Sequence, residues 1–213
     1  MFIKKDEHTQ AARLFSFLAL GEEIAHHCAK QQARQSDNRA MQRFLKSQAR
    51  QEKNHQIMFK YGELLLTPKG SPCEPAVQPL QEYKHLLNEA IEKNDFAETL
   101  LGQQVILEGL GEVVLKNIDF GMSNRNFGYK KIRHLILTQE QAHHDFGIRK
   151  LNHAVQNDLE EQTRLSARAQ DYLHLIEKML DNLYSLFEHF NYDASSYNHQ
   201  VKDALPSWVK AQT

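Results

Sequence analysis

The sequence has few of the residues that interrupt helices or cross-link small folds. Its 213 residues include 9 glycines, 5 prolines and 2 cysteines. Four of the prolines lie between positions 68 and 79, and this distribution favours long helices over many short strands. Cys28 and Cys73 form no CxxC pair, which argues against a disulfide scaffold. Low cysteine use is typical of a reducing compartment, so we predict a cytoplasmic protein.

An excess of charge of one sign and long apolar runs are also missing. The net charge is −1 with histidine neutral, which argues against a nucleic-acid-binding surface. No apolar run approaches the roughly 20 residues that cross a bilayer, so we predict no membrane span. The apolar stretch at 14–20 follows acidic residues and precedes no small-x-small cleavage site, unlike a signal peptide. We expect one helical domain over residues 1–213.

Apolar residues recur at helical spacing along most of the chain. The pattern predicts six helices, at about 9–35, 39–66, 79–93, 95–118, 129–155 and 158–190. A Pro-rich connector at 67–79 separates the first pair of long helices from the second. Two helical hairpins joined by a long connection are typical of a crossover four-helix bundle. We therefore predict an all-α fold with a core bundle at about 9–155 and additional C-terminal helices at about 158–213.

Histidine is abundant, and it recurs in one motif. The chain has 17 glutamates and 12 histidines, for which chance predicts roughly one Glu-x-x-His sequence, yet four occur. Two of them, Glu52/His55 and Glu140/His143, lie in the middle of predicted helices and on their apolar stripes. Residues three apart on a helix face the same side, so each pair presents a carboxylate and an imidazole together.

Both motifs have a glutamate on the preceding helix. Glu22 precedes Glu52 by 30 residues, and Glu108 precedes Glu140 by 32. Antiparallel helices would bring all of these positions to one depth of the bundle. One Glu from each of two helices, plus Glu-x-x-His from the other two, is the ligand set of di-iron and di-manganese carboxylate bundles. Four carboxylates balance two divalent ions, whereas without cations they would repel or take up protons. The predicted metal ligands are Glu22, Glu52, His55, Glu108, Glu140 and His143.

The other two Glu-x-x-His pairs are not assigned to the site, and Glu82/His85 is predicted to lie on the surface. Glu23 and His26 point about 100° away from the apolar stripe that holds Glu22. Glu82 and His85 have no partner glutamate and follow a proline.

Two further ionisable residues lie close to the predicted ligands. Glu112 is one turn beyond Glu108 on the same stripe, so it is either an ion-paired residue at the margin, an extra ligand or a proton carrier. We name it as the candidate catalytic residue. His144 follows His143 but faces elsewhere, and we expect it at the surface or behind the ligands.

Four segments resemble the ferritin-like di-iron superfamily, and within it most closely the cyanobacterial aldehyde-deformylating oxygenases. The similarity can be followed over about residues 12–190. The segments are GEEIA at 21–25, ARQEKNHQIMFKYG at 49–62, QQVILEGLGEVV at 103–114 and EQAHHDFG at 140–147.

The resemblance implies a fold, a cofactor and an activity. Enzymes of that family use O₂ and external electrons to turn a long-chain aldehyde into an alkane and formate. We therefore expect a ferritin-like, non-haem di-iron oxygenase or oxidase acting on a small apolar substrate such as a fatty aldehyde or acid. Two Fe ions are expected, although Mn or a mixed Mn/Fe pair also suits these ligands. We also expect an electron donor such as ferredoxin. We expect the protein to be a monomer or a homodimer.

In the ligand assignment that the resemblance implies, the residues fall into three pairs. These are Glu22 and Glu108 as outer carboxylates, Glu52 and Glu140 as bridging ones, and His55 and His143 as one imidazole for each metal.

Two other functions remain open from the sequence. One is a ferritin- or rubrerythrin-like protein that handles iron or peroxide, although the long sixth helix and the lack of a Cys₄ module disfavour it. The other is a non-catalytic binding protein stabilised by metal. The sequence does not name the substrate, the reductant or the metal.

Overall fold

The computed structural model describes residues 8–67, 74–122, 127–189 and 194–210, and within these ranges the chain is helical with no strand. The prediction of an all-α fold is confirmed. The elements are α1 (His8–Gln35), α2 (Arg39–Leu66), α3 (Glu74–Glu92), α4 (Phe96–Thr99), a π-helical segment (Leu100–Leu107), α5 (Glu108–Met122), α6 (Phe127–Val155), α7 (Leu159–Asn182), α8 (Tyr184–His189), α9 (Ala194–Asp203) and α10 (Ser207–Lys210).

Two antiparallel hairpins form the bundle, as the periodicity predicts. The first pairs α1 with α2, and its tight turn ends at Asn38, whose side chain accepts hydrogen bonds from the N–H groups of Ala40 and Met41 at 2.9 and 3.0 Å. These bonds satisfy two of the free donors at the start of α2. The second hairpin pairs α6 with α5 and the π segment. α3 crosses between the hairpins and packs against α1 and α7.

The crossover helix begins earlier than the sequence predicts. α3 starts at Glu74 rather than at about position 79, so Pro79 lies inside the helix. Proline removes a backbone hydrogen bond there. The burial of Leu80, Tyr83 and Leu87, each less than 2% exposed, offsets that loss. The predicted connector is therefore shorter, and its residues 68–73 lie outside the described ranges.

The predicted helix at 95–118 lies at about the right position, but part of it is a π-helix rather than an α-helix. Asp95 caps it by accepting the N–H of Glu98 at 2.9 Å, and Asn94, with a φ of 53°, turns the chain away from α3. Between Leu100 and Leu107 the helix widens, and the N–H of Glu108 bonds to the carbonyl of Gln103, five residues back. All side chains of this π segment are buried, so no single stripe marks its inner face.

Two details of the predicted helices differ in the structure. The predicted helix at 158–190 is divided at Leu183 into α7 and α8. α9 and α10 follow within the region predicted to hold C-terminal helices. On α6, helical spacing aligns Ile132 with Ile136, yet Ile132 is 47% exposed, whereas Ile136 one turn later is buried.

The apolar core is continuous through the described residues. One cluster of buried side chains runs from Ala11 in α1 to Val209 in α10, so the C-terminal helices share the core of the bundle. In the ranges given above, no helix combines the length and the apolar character that crossing a membrane requires.

Candidate metal centre

Six ionisable side chains meet at one depth of the bundle, and all of them are at least nine-tenths buried. α1 contributes one, α2 two, α5 one and α6 two. They are the six predicted ligands: Glu22, Glu52, His55, Glu108, Glu140 and His143. The structure thus brings together residues up to 121 positions apart in the sequence.

The six side chains form two groups of four whose ligand atoms lie within 4.8 Å of one another. Glu52 and Glu140 belong to both groups. Glu22 and His55 complete the first group, and Glu108 and His143 complete the second. We call these the Glu22/His55 position and the Glu108/His143 position.

Glu52 lies between the two imidazoles. Its Oε2 is 3.2 Å from Nδ1 of His55, and its Oε1 is 3.0 Å from Nδ1 of His143. Glu140 approaches His55 Nδ1 at 3.0 Å, and Glu22 approaches the same atom at 3.4 Å. One carboxylate that offers an oxygen to each position has the geometry of a bridging ligand.

Two glutamines orient the imidazoles from behind. Nε2 of His55 is 2.8 Å from Oε1 of Gln139, and Nε2 of His143 is 2.7 Å from Oε1 of Gln51. An amide oxygen only accepts hydrogen bonds, so each ring carries a proton on Nε2 and turns Nδ1 towards the carboxylates. The arrangement is crossed, because the glutamine beside Glu52 holds the histidine of α6, and the glutamine beside Glu140 holds the histidine of α2.

The site meets a physical test for cations. Five of its buried atoms face one another at 3.0–3.2 Å without forming a hydrogen bond: both oxygens of Glu52, Oε1 of Glu140, and Nδ1 of His55 and His143. Leaving such atoms unsatisfied costs about 1–3 kcal/mol each, and more for charged groups. Carboxylate oxygens and imidazole nitrogens that converge without partners are a donor set for divalent transition metals. The residues present therefore fit a pair of ions.

The protonation of the carboxylates supports the same conclusion. Burial raises the pKa of Glu22 to about 8 and that of Glu140 to about 7. Burial and the neighbouring carboxylates also raise the pKa of Glu108 well above its usual range. In the absence of cations these groups hold protons, and a bound metal would displace them.

At the centre of the cluster, the pKa values of Glu52, His55 and His143 shift in the direction that favours the charged form of each group. Burial opposes the ionisation of Glu52, but the two imidazoles outweigh it and lower the pKa of that carboxyl to about 2. Burial also disfavours a charged His55, yet the three carboxylates around it raise its pKa well above the usual range. Burial likewise opposes a charged His143, but Glu52 and Glu108 raise its pKa.

The neighbouring residues occupy a second layer. Glu112 is buried, belongs to neither ligand group and forms an ion pair with Lys116. His144 was expected at the surface or behind the ligands, and it is buried behind them, with Nδ1 4.0 Å from Glu112. Burial lowers the pKa of His144.

The pairs predicted to lie outside the site do so. Glu23 is nearly half exposed, and Glu82 and His85 are exposed on α3. His26 is partly buried, and its Nδ1 is 2.6 Å from the carbonyl of Ala49, which ties α1 to α2.

The sequence patterns did not predict the glutamines that contact the ligands, namely Gln51, Gln103 and Gln139. Gln51 and Gln139 could have been found, because each directly precedes the glutamate of a central Glu-x-x-His motif. Gln103 could not, because in a regular α-helix residues five apart point about 140° away from each other. The π segment removes that offset, and the Gln103 amide donates to Oε1 of Glu108 at 2.7 Å.

An apolar pocket adjoins the cluster. The pocket is partly open to solvent. Three predicted ligands, Glu22, Glu108 and Glu140, form the polar part of its wall. The remaining wall is apolar and comprises Phe17, Leu18, Gly21, Ala25, Leu80, Leu107, Leu110, Gly111 and Val114.

The helices and their connections define a ferritin-like four-helix bundle with a long crossover and additional C-terminal helices, and it encloses a buried carboxylate–histidine cluster. Among solved structures, the chain is similar to "Protein 19 with aldehyde deformylating oxidase activity from Synechococcus". The TM-score is 0.80 at 18% sequence identity, and the match covers 97% of this chain and 94% of that chain. No protein-family model matches the sequence, and no curated protein matches it. The likeness confirms the ferritin-like fold that the motifs indicated.

Proposed function

We propose that this protein is a non-haem dimetal oxygenase or oxidase that acts on an apolar substrate. The observation that carries the proposal is the shared wall between the ligand cluster and the pocket. Glu22, Glu108 and Glu140 each belong to a ligand group and also line the pocket. A molecule in the pocket would therefore lie against the metal ligands.

The ligand roles follow from the grouping. Glu52 and Glu140 would bridge two ions, because each belongs to both groups. The remaining residues would each bind one ion, Glu22 and His55 at one position and Glu108 and His143 at the other. Iron is the expected metal, and manganese or a mixed Mn/Fe pair suits the same donors. A carboxylate-bridged pair of such redox-active ions supplies O₂ activation.

The protein contributes binding, orientation and exclusion of water. The apolar wall favours a hydrocarbon chain, and burying it yields roughly 25 cal/mol per Å² of apolar surface. Among the described residues that line the pocket, the polar side chains are glutamates, so the polar end of a substrate would be placed towards them. A fatty aldehyde or acid has this division into one polar end and one apolar chain. We favour the aldehyde because the similar Synechococcus protein is described as having aldehyde deformylating oxidase activity.

Glu112 is proposed as a proton carrier rather than a ligand. It connects Lys116, which is half exposed, to the buried His144. Such a path would lead protons from solvent towards the layer behind His143.

The remaining parts of the proposal concern partners. O₂ chemistry of this kind consumes electrons that the described residues do not store, so we propose a small electron-transfer protein such as a ferredoxin as the donor. A monomer or a homodimer is proposed as the working form.

The test is anaerobic loading with Fe(II), followed by elemental analysis and measurement of O₂ consumption with a chemical reductant. We expect two ions per chain and O₂ consumption that increases when a long-chain aldehyde is added. The Glu82→Ala variant is the matched control, since this exposed glutamate lies outside the cluster. Less than one bound ion per chain would rule out the proposal. A many-subunit shell that takes up far more than two ions per chain would instead establish iron storage.

A further inference from the structure

A chain of buried glutamines leads away from one side of the cluster. Nε2 of Gln48 donates to Oε1 of Glu108 at 2.8 Å. Oε1 of Gln48 accepts from Gln104 at 3.2 Å, and Gln104 and Gln32 exchange hydrogen bonds at 2.6 and 3.0 Å. Gln32 also donates to Oγ1 of Thr99 at 3.1 Å. We call Gln48, Gln104 and Gln32 the glutamine chain, and all three side chains are fully buried.

Packing alone does not account for these residues. Leucines of similar size would fill the same space without burying amides, which are costly unless every donor and acceptor is paired. α6 also approaches the π segment closely at this point, because a Cβ atom on Gly147 would overlap Cβ of Gln104.

The consequence for Glu108 is that one of its oxygens is occupied. Oε1 accepts from Gln48 at 2.8 Å and from Gln103 at 2.7 Å, while Oε2 is the atom that faces His143, 4.0 Å from Nδ1. Two amide donors on the same oxygen hold the carboxylate in one rotamer and leave Oε2 for a metal. Gln103 has an unpartnered buried Oε1, as expected for a residue present for its donor group.

The corresponding glutamate of the other position lacks such support. Among the described residues, no amide side chain donates to Glu22, and its close polar contact is His55 at 3.4 Å. Glu22 and Glu108 both line the pocket, so the amide donors on Glu108 are what distinguishes the two carboxylates.

We propose that the glutamine chain is a positioning device that holds Glu108 ready for metal, so that the Glu108/His143 position fills first and the Glu22/His55 position fills second. A preorganised ligand loses less conformational freedom on binding and therefore binds more tightly. Glu22 then remains the carboxylate that adjusts when the pocket is occupied. This inference rests on the proposed dimetal function.

The test is a titration of the metal-free, full-length protein with Co(II) alone, followed by its visible absorption. We expect two resolved binding steps in the wild type, with the tighter step lost in His143→Ala and the weaker step lost in His55→Ala. Gln48→Leu should weaken the tighter step by roughly 10- to 100-fold, the usual effect of removing a group that orients a ligand. In the same variant, the affinity of the weaker step should change by no more than about twofold.

A second variant and a control separate positioning from general damage. Gln32→Leu alters the far end of the glutamine chain and should weaken the same step by a smaller factor. Gln31→Leu is the matched control, because Gln31 precedes Gln32 but contacts Arg34 at the surface, and neither step should change. Circular dichroism of each metal-free variant reports whether it folds, and Gln32→Leu carries the test if Gln48→Leu does not.

The outcomes distinguish this inference from the function on which it rests. Two indistinguishable steps in the wild type, or equal weakening of both steps in Gln48→Leu, would overturn the positioning role and leave the dimetal function intact. Failure of the wild type to bind Co(II) at all would overturn both.

Discussion

The two metal positions are built from the same ligands but supported differently. Each has one outer glutamate, one histidine and a share of Glu52 and Glu140. The Glu108/His143 position is backed by two buried amides on its outer carboxylate. Glu22 lines the same pocket as Glu108, but among the described residues no amide side chain donates to it. The comparison indicates that a sequence repeat can duplicate a ligand set without duplicating its surroundings. The outer carboxylate of one position can therefore be held rigidly while that of the other stays free to move.

The largest effect is expected where the two positions share a ligand. Glu52→Ala should abolish two-metal occupancy, because each oxygen of this carboxylate faces one imidazole. His143→Ala should likewise abolish two-metal occupancy but leave an ion at the other position. Elemental analysis after anaerobic Fe(II) loading measures both, with Glu82→Ala as the unchanged control. Full occupancy in Glu52→Ala would mean that the positions are not bridged as we propose.

The crossed glutamines provide a second way to separate the positions. Gln51→Leu should weaken the Glu108/His143 position roughly 10- to 100-fold, and Gln139→Leu should do the same to the Glu22/His55 position. In the Co(II)-loaded protein, each variant should also lose one exchangeable imidazole N–H signal from the paramagnetic ¹H NMR spectrum. Loss of the signal from the histidine on the same helix as the substitution would contradict the crossed arrangement.

The pH dependence of metal binding should differ from that of exposed carboxylates. A group with a raised pKa binds protons up to that pKa, and a metal must displace them. With the pKa of Glu22 at about 8 and that of Glu140 at about 7, affinity should fall as the pH is lowered from 8 to 6. The slope approaches tenfold per pH unit for each proton displaced. Titration with Zn(II) at several pH values measures it, and a flat profile would contradict the protonated state of the metal-free site.

The smallest effects concern two glycines on opposite sides of the centre. Gly21 lines the pocket, and an added Cβ would meet nothing within 4 Å, so Gly21→Ala should stabilise α1 by about 0.5–1 kcal/mol. Gly147→Ala should destabilise the protein by about 1–3 kcal/mol, because its Cβ would overlap Gln104. Denaturant unfolding of the metal-free variants compares the two. Stabilisation by both would show that Gln104 moves aside without cost.

The sequence predicted the elements that depend on local periodicity. The two long hairpins and the six converging residues lie where their spacing placed them, and Glu22 rather than Glu23 faces inward. Periodicity did not predict the π segment, because nothing in the spacing of LLGQQVIL at 100–107 marks an extra residue in one turn. It also left open whether His144 lies at the surface or behind the ligands, since that choice depends on how closely α5 packs against α6.

What the sequence determined by itself is which side chains share a helix face, because residues three or four apart are neighbours on any α-helix. That was enough to place a carboxylate and an imidazole together on α2 and again on α6. Only the tertiary structure decided how these ligands are supported. The bonds from Gln48 to Glu108 and from Gln51 to His143 join residues 60 and 92 positions apart. Such contacts form when helices pack against one another, and no local pattern specifies which of several glutamines will meet a given ligand.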